Sequence, residues 1–375
     1  HIKVYHKAII LHSMKGKNMK ICVYAISKNE EKFVKRWINS MKEADEIYVL
    51  DTGSTDNTVK LLKENNVNVK QKVITPWRFD VARNESLKLL PEDTDICVCT
   101  DLDEVFEPGW RKKLEKSWQE NTTRARYTYN WKLDENNKPI ISFYSDKIHI
   151  LKNYTWINPV HEVLNSTTQE NFITIDNLTL NHYPDPTKSR SSYLPLLELS
   201  IKEDPENDRN MHYLGREYMY YGYWKKSIKT LKKHLELKKA TWKDERSASM
   251  RYISRCYKNI GKYEEAKFWL KKAIKETPYL REPYVERALL AYSEENYLDV
   301  ETYCLEALKI KHHEKTYINE PFCWDETIYD LLSISNFYQR KYNYAIYFIN
   351  LALEISPHNE RLLKNKELFI TKEKN

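Results

Sequence analysis

Between Met19 and about His182, short apolar runs alternate with longer amphipathic stretches, and this rhythm constrains the fold more than any other feature of the chain. Residues 21–26 read as a buried strand and 30–41 as a helix. Further strands are expected over 47–50, 67–73 and 95–100, with helices over 58–65 and 81–89. Alternation at this spacing predicts an α/β domain built on a mostly parallel sheet with helices on both faces. In such sheets ligands bind beyond the carboxyl ends of the strands. The polar segments that follow each strand are therefore where chemistry is expected.

Beyond about Pro184 the pattern becomes helical and repeats. Four hexapeptides align, beginning at Gly222, Gly261, Glu295 and Arg340, each with an aromatic residue third: Trp224, Tyr263, Tyr297 and Tyr342. The steps between these aromatics are 39, 34 and 45 residues. Ala273, Ala307 and Ala352 each follow an aromatic by ten residues, and Pro278 and Pro357 by fifteen. This pattern resembles tetratricopeptide repeats, helix–turn–helix units of about 34 residues that stack because one pair cannot bury its own apolar face. The longer steps predict extra chain around 241–247 and 312–324. The organisation read from these rhythms is a segment 1–18 of upstream or expression-derived sequence, an α/β domain over 19–185, a connecting helix or linker over 186–209, and all-α tetratricopeptide-like repeats over 210–375.

The 375 residues carry a formal net charge of +7 from dense charge of both signs, not from one basic block. That balance favours small anionic partners such as nucleotide phosphates and argues against nucleic acid. The six cysteines form no C-x-x-C pair. Cys97 and Cys99, two apart in an apolar run, are expected on one face of a strand as reduced core residues of a cytoplasmic protein. No stretch reaches the ~18 apolar residues of a membrane helix.

Three strand ends carry the chemistry: Ser27-Lys28-Asn29-Glu30, Asp51-Thr52-Gly53-Ser54-Thr55-Asp56-Asn57-Thr58, and Asp101-Leu102-Asp103-Glu104. All fall at one edge of the expected sheet and so converge in space. Two carboxylates at i and i+2 past a buried strand repel and are expected to raise each other's pKa. A divalent cation with hard oxygen ligands relieves that repulsion, which points to Mg²⁺ or Mn²⁺. So few protein ligands leave positions for substrate phosphates, where the metal offsets charge building on a leaving group.

Together with Phe79-Asp80-x-Ala82-Arg83-Asn84, these segments resemble, in order, the signature of family 2 glycosyltransferases with the Rossmann-like GT-A fold. The resemblance covers roughly residues 19–185 and implies a UDP-sugar donor. Ser27, Glu30 and Asp51 would then bind the donor, Glu30 near the ribose and Asp51 facing the base. Asp103 would hold the metal and diphosphate, with Asp101 nearer the ribose or sugar. Two readings stand for Arg83, a contact to the diphosphate or a salt bridge to Asp80 on its own helix. Ser54 and Thr58 read either as donor contacts or as a turn and cap around Asp56.

Family 2 enzymes generally invert the anomeric centre, which needs a base for the acceptor. Related transferases with helical-repeat tails carry a segment like Trp156-Ile157-Asn158-Pro159-Val160-His161-Glu162. Glu162 is the candidate base, with His161 orienting it or touching the diphosphate, against the alternative of a buried pair tying down a loop. Asp134 and Glu135 are rivals but sit in an expected exposed turn. The resemblance makes His182 a candidate metal ligand, or else a junction residue, and Lys188 and Arg190 follow closely enough to neutralise phosphate. The overall layout is similar to bacterial peptide S-glycosyltransferases of the glycocin type, with Gly215-Arg216-Glu217 near the first repeat. It implies an inverting hexosyl- or N-acetylhexosaminyltransferase acting on a peptide or protein held by the repeats, whose exposed ends could also pair two protomers into a homodimer. Tyr218, Tyr220, Tyr221, Tyr252 and Tyr257 could line the acceptor face or fill the repeat core. The alternatives are an envelope-glycan, lipid-linked or modified-DNA acceptor, and a non-catalytic repeat scaffold with a vestigial first domain.

Overall fold

The structure, a computed structural model, describes residues 19–188 and 191–374. The expectations for residues 1–18 and for Arg190 fall outside the described residues. The chain divides into two compact units, one ending at Arg190 and one beginning at Ser191.

The first unit contains β1 (Ile21–Ser27), α1 (Glu31–Met41), β2 (Glu46–Asp51), α2 (Thr58–Glu64), β3 (Asn68–Gln71), α3 (Phe79–Leu87), β4 (Ile96–Cys99), β5 (Glu104–Phe106), α4 (Trp110–Ser117), β6 (Arg124–Leu133), β7 (Pro139–His149), β8 (Tyr154–Ile157), β9 (Val163–Ser166) and β10 (Phe172–His182). Eight strands form one sheet in the order β3-β2-β1-β4-β7-β6-β10-β5. The half built from β1 to β4 is parallel, as the alternation predicts. The other half is mixed: β7 runs antiparallel to β4 and β6, β10 parallel to β6, and β5 antiparallel to β10. The expectation of a mostly parallel sheet therefore holds for one half only. The long hairpin of β6 and β7 interrupts it, because a two-ended ribbon needs no crossover helix.

Strand β1 lies between β2 and β4 and is apolar on both faces, as a central parallel strand must be. Ile21, Val23 and Ala25 join Val49, Ile96 and Val98 under α1 and α4. Helix α1 presents Phe33, Val34, Trp37, Ile38 and Met41 to this core at helical spacing. Burying each such large side chain stabilises the fold by about 1.5–3 kcal/mol. Cys22, Tyr24, Cys97 and Cys99 point to the opposite face and pack with Leu87, Tyr154 and Trp156. The six cysteines are free and buried.

The second unit contains α5 (Tyr193–Glu203), α6 (Asp208–Tyr220), α7 (Trp224–Glu236), α8 (Lys243–Asn259), α9 (Tyr263–Glu276), α10 (Glu282–Ser293), α11 (Tyr297–Lys309), α12 (Thr327–Tyr338), α13 (Tyr342–Ile355) and α14 (Glu360–Glu373). Helices α6 to α13 form four successive pairs, and α14 packs on α13. The four aromatic anchors are the first residues of α7, α9, α11 and α13. Two residues earlier the backbone turns left-handed in every repeat, at Gly222, Gly261, Glu295 and Arg340. The anchors themselves stay partly exposed. The close approach of helices depends instead on Ser227, Ala266, Val300 and Ala345, three residues on, all fully buried. Ala273, Ala307 and Ala352 are likewise fully buried. Tyr218 and Tyr252 belong to the interior, whereas Tyr220 and Tyr221 are exposed.

Candidate active site

The ends of β1 and β2 are stitched together by side chains rather than left open. Asp51 is fully buried; its Oδ1 accepts from the amides of Gly53 (3.2 Å) and Ser54 (3.0 Å). Its Oδ2 accepts from the hydroxyls of Ser27 (3.1 Å) and Ser54. Asn29, in a left-handed conformation, accepts from the Thr55 amide at 2.7 Å, and its own amide donates to Ser54 Oγ at 2.8 Å. Asp56 accepts from the Thr58 amide and hydroxyl, and Thr58 Oγ1 accepts from the Glu30 amide at 2.7 Å. Ser54 and Thr58 thus serve the turn and the helix start. The Glu30 carboxylate lies against Lys188. Burial pushes Glu30 up to about 7, against the opposing pull of Lys188.

The segment after β4 meets α3 and the loop before β9. Arg83 is 2% exposed; its Nη2 donates to Asp101 Oδ1 at 2.6 Å and its Nε to Glu162 Oε1 at 3.0 Å. The salt bridge to Asp80 offered as one reading of Arg83 is not formed. Asp80 is taken by Arg78, which donates through Nε (3.0 Å) and Nη2 (2.8 Å). Asp101 Oδ2 also faces Lys147 Nζ at 3.4 Å. Burial alone would raise Asp101, but Arg83 and Lys147 hold its carboxyl well below the usual carboxylate range. The mutual raising expected of Asp101 and Asp103 is thus overturned for Asp101, because two cations reach it.

Three further groups take part: Glu104, which ends one of the three segments but was assigned no role from the sequence, and Lys147 and Trp131, which were not singled out. Glu104, 1% exposed, accepts from the Asp101 amide at 2.8 Å and from Tyr129 Oη at 2.8 Å. Burial raises its pKa. Lys147 lies 3.8 Å from Glu104; burial opposes its charge, but Glu104 and Asp101 raise it above the ordinary lysine range. Trp131 stacks on His182 with ring centroids 4.4 Å apart. A lysine beside the fully buried Ile148 and His149 bears no local mark of pairing; the sequence signal is the acidic surplus at 101–104.

His182 closes β10 and sits with Nε2 3.4 Å from Asp103 Oδ2. Its Nδ1 is 3.0 Å from the Trp131 carbonyl. In the neutral tautomer with the proton on Nδ1, that carbonyl accepts the proton and the Nε2 lone pair faces Asp103. Burial works against charging His182, but the Asp103 carboxylate raises its pKa overall. Asp103 and His182 together offer an oxygen and a nitrogen donor fit for Mn²⁺ or Mg²⁺, more naturally Mn²⁺. Among the described residues no group of three or more His, Cys, Asp or Glu side chains is arranged to hold an ion.

The segment bearing His161 and Glu162 is pinned to α3. Asn84 exchanges two hydrogen bonds with the Trp156 backbone, at 2.8 and 2.9 Å, and the Phe79 amide donates to the Pro159 carbonyl at 2.9 Å. Trp156 Nε1 donates to Tyr24 Oη at 3.0 Å. Asn158 and His161 both take left-handed backbone, with φ of 80° and 50°, which folds the loop so that Glu162 meets Arg83. Asp134 accepts from the amides of Asn136 and Lys138 in the β6–β7 turn, as its turn reading expects.

The family described as "Glycosyl transferase family 2" matches residues 22–168. No curated protein matches the chain. Several solved structures are similar. The MamA protein is 18% identical, covering 46% of this chain and 85% of that one, with a TM-score of 0.36. PilF of Pseudomonas aeruginosa is 13% identical, covering 48% and 72%, with a TM-score of 0.37. A thermophilic TPR protein of Thermus thermophilus is 17% identical, covering 48% and 90%, with a TM-score of 0.34. Among the described residues no helix is long and apolar enough to cross a membrane. The chain joins a family 2 glycosyltransferase domain to a unit of tetratricopeptide-like helical repeats.

Proposed function

We propose that this chain transfers a hexose or N-acetylhexosamine from a UDP-sugar to a polypeptide, with inversion and with the help of Mn²⁺ or Mg²⁺. The observation that carries the reading is the approach of Asp103 to His182, with the far nitrogen of His182 tied to a backbone carbonyl. These two residues would hold the cation, which when bound offsets the negative charge of the departing diphosphate. Ser27, Glu30 and Asp51 would order the uridine side of the donor. Asp51 acts through the turn it organises, and Glu30 offers the carboxylate nearest the ribose.

Asp101 is engaged by Arg83 and Lys147, so in this reading it aims those two cations at the donor rather than gripping the sugar itself. Glu162 gives one oxygen to Arg83 and keeps the other for the acceptor's proton. His161, its neighbour in a loop of left-handed backbone, would orient Glu162 or touch the diphosphate. The repeat unit would recruit the acceptor, and the buried free thiols suit a reducing cytoplasm.

The test is to incubate soluble extract fractions and purified protein with labelled UDP-glucose or UDP-N-acetylglucosamine and Mn²⁺. Label in protein that is released by protease supports the reading. Label confined to glycolipid, or none in either fraction, contradicts it.

A further inference from the structure

The first helices of the repeat pairs pack in series, α6 on α8, α8 on α10 and α10 on α12. The connection between α11 and α12, which makes a turn at Tyr317 and Ile318, lies on the face they form. Tyr317 stacks on Tyr213 of α6 at 5.6 Å, and its hydroxyl donates to Glu245 of α8. Arg251 of α8 donates to the Ile318 carbonyl at 3.1 Å. Glu320 accepts from Arg255 at 2.5 Å and from Arg251 at 3.3 Å. The chain thus lays a stretch of its own backbone on this face. It shows what the face takes: an aromatic ring, a carbonyl, and a carboxylate between guanidinium groups.

Arg216 of α6 shares Tyr213 with that segment. Its guanidinium carbon stands 4.6 Å from the Tyr213 ring centre and 5.8 Å from that of Tyr220. Arg251 and Arg255 lie instead over Tyr252. Unlike them, Arg216 makes no ion pair among the described residues, and its buried Nε has no hydrogen-bond partner. A guanidinium set over tyrosine rings keeps its charge and its N–H donors, and a guanidinium can take a carboxylate with two parallel bonds. Tyr220 is 60% exposed, so the cage is open to solvent on that side.

We propose that Arg216 and the tyrosines around it form a subsite for a carboxylate side chain in an acidic stretch of the polypeptide acceptor, next to the place occupied by residues 317–320. The proposal rests on the peptide-acceptor reading above. A carboxylate fits better than a phosphate because the same face already receives one, that of Glu320.

The experiment measures binding of the full chain to a short fluorescein-labelled peptide of alternating glutamate and glycine, and to its glutamine counterpart, by anisotropy. The glutamate peptide is expected to bind at least about tenfold more tightly, with affinity falling as salt rises. Arg216→Gln should bring it to the level of the glutamine peptide, and Arg216→Lys should restore part of the difference. Thermal unfolding should move down only slightly in Arg216→Gln, since ring contacts but no ion pair are lost, and this separates a binding role from a structural one. Equal binding of the two peptides, no binding, or an unchanged affinity in Arg216→Gln would overturn the proposal. So would displacement of the peptide from Arg216 by UDP, which would make the cage a phosphate site. Failure of the acceptor reading shows separately, as absence of sugar on any polypeptide while peptide affinity stays intact.

Discussion

In the repeat unit Arg251 and Arg255 meet Glu286 and Glu320, two cations against two carboxylates, with every contact made inside the unit. In the transferase unit Arg83 and Lys147 face Asp101, Glu104 and Glu162, while Asp103 stands close by against His182. Four carboxylates there meet two permanent cations. A balanced buried cluster is complete in itself and its work is structural. A cluster with surplus negative charge has room for a further cation, and sites with displaced pKa values of this kind gather where chemistry is done. Both clusters bury arginine, and the difference in balance separates the two kinds of use.

The comparison is broken most severely at Arg83. Arg83→Ala leaves Asp101 and Glu162 without their shared partner. It should cost about 3–5 kcal/mol of stability and lower UDP-sugar turnover at least about 100-fold. Denaturant titration and a turnover assay measure the two; normal turnover in the folded variant would contradict the site. Arg251→Ala should cost a similar ~3–5 kcal/mol, seen as a lower melting temperature. A change well under that would mean the repeat cluster is not structural.

A smaller effect is expected at Gly215 of α6. A Cβ there would meet Leu231 Cδ2 at 2.4 Å and Cγ at 2.5 Å. Gly215→Ala should therefore destabilise by about 1–3 kcal/mol, measured by chemical denaturation; no change would mean α6 and α7 can separate freely.

The mildest change concerns pH at Glu30. Its folded pKa, about 7, lies above the ordinary 4.5. The unfolded chain therefore ionises first, and stability is lost as pH rises from about 4.5 to about 7. UDP-sugar affinity should improve over the upper part of that range as the ribose gains an ionised acceptor, and Glu30→Gln should flatten the dependence. An identical pH profile in the variant would remove Glu30 from the donor site.

Much of this was legible in the sequence, and what was not has a physical reason. The strand ends at Glu30, Asp51 and Asp101 could be read because a buried apolar run followed by carboxylates has few structural uses. The four aromatic anchors could be read because each begins a helix after a left-handed turn. The turn joining β6 and β7 was expected, but the length of the hairpin was not, because its ten- and eleven-residue strands mix charged and apolar residues without clean alternation. One of the two readings paired Arg83 with Asp80 from helical proximity, yet its partners stand 18 and 79 residues away. Lys147 carried no mark, since pairing across a sheet depends on register and not on neighbours in the chain.

The most direct test of the central claim is UDP-sugar hydrolysis, with and without Mn²⁺, in the wild-type chain and in Asp103→Ala. Turnover should depend on the metal in the wild type and fall at least about 100-fold in the variant, with chelation of the wild type producing the same loss. Equal, metal-independent turnover in both proteins would contradict the assignment of Asp103 and His182 as the cation site.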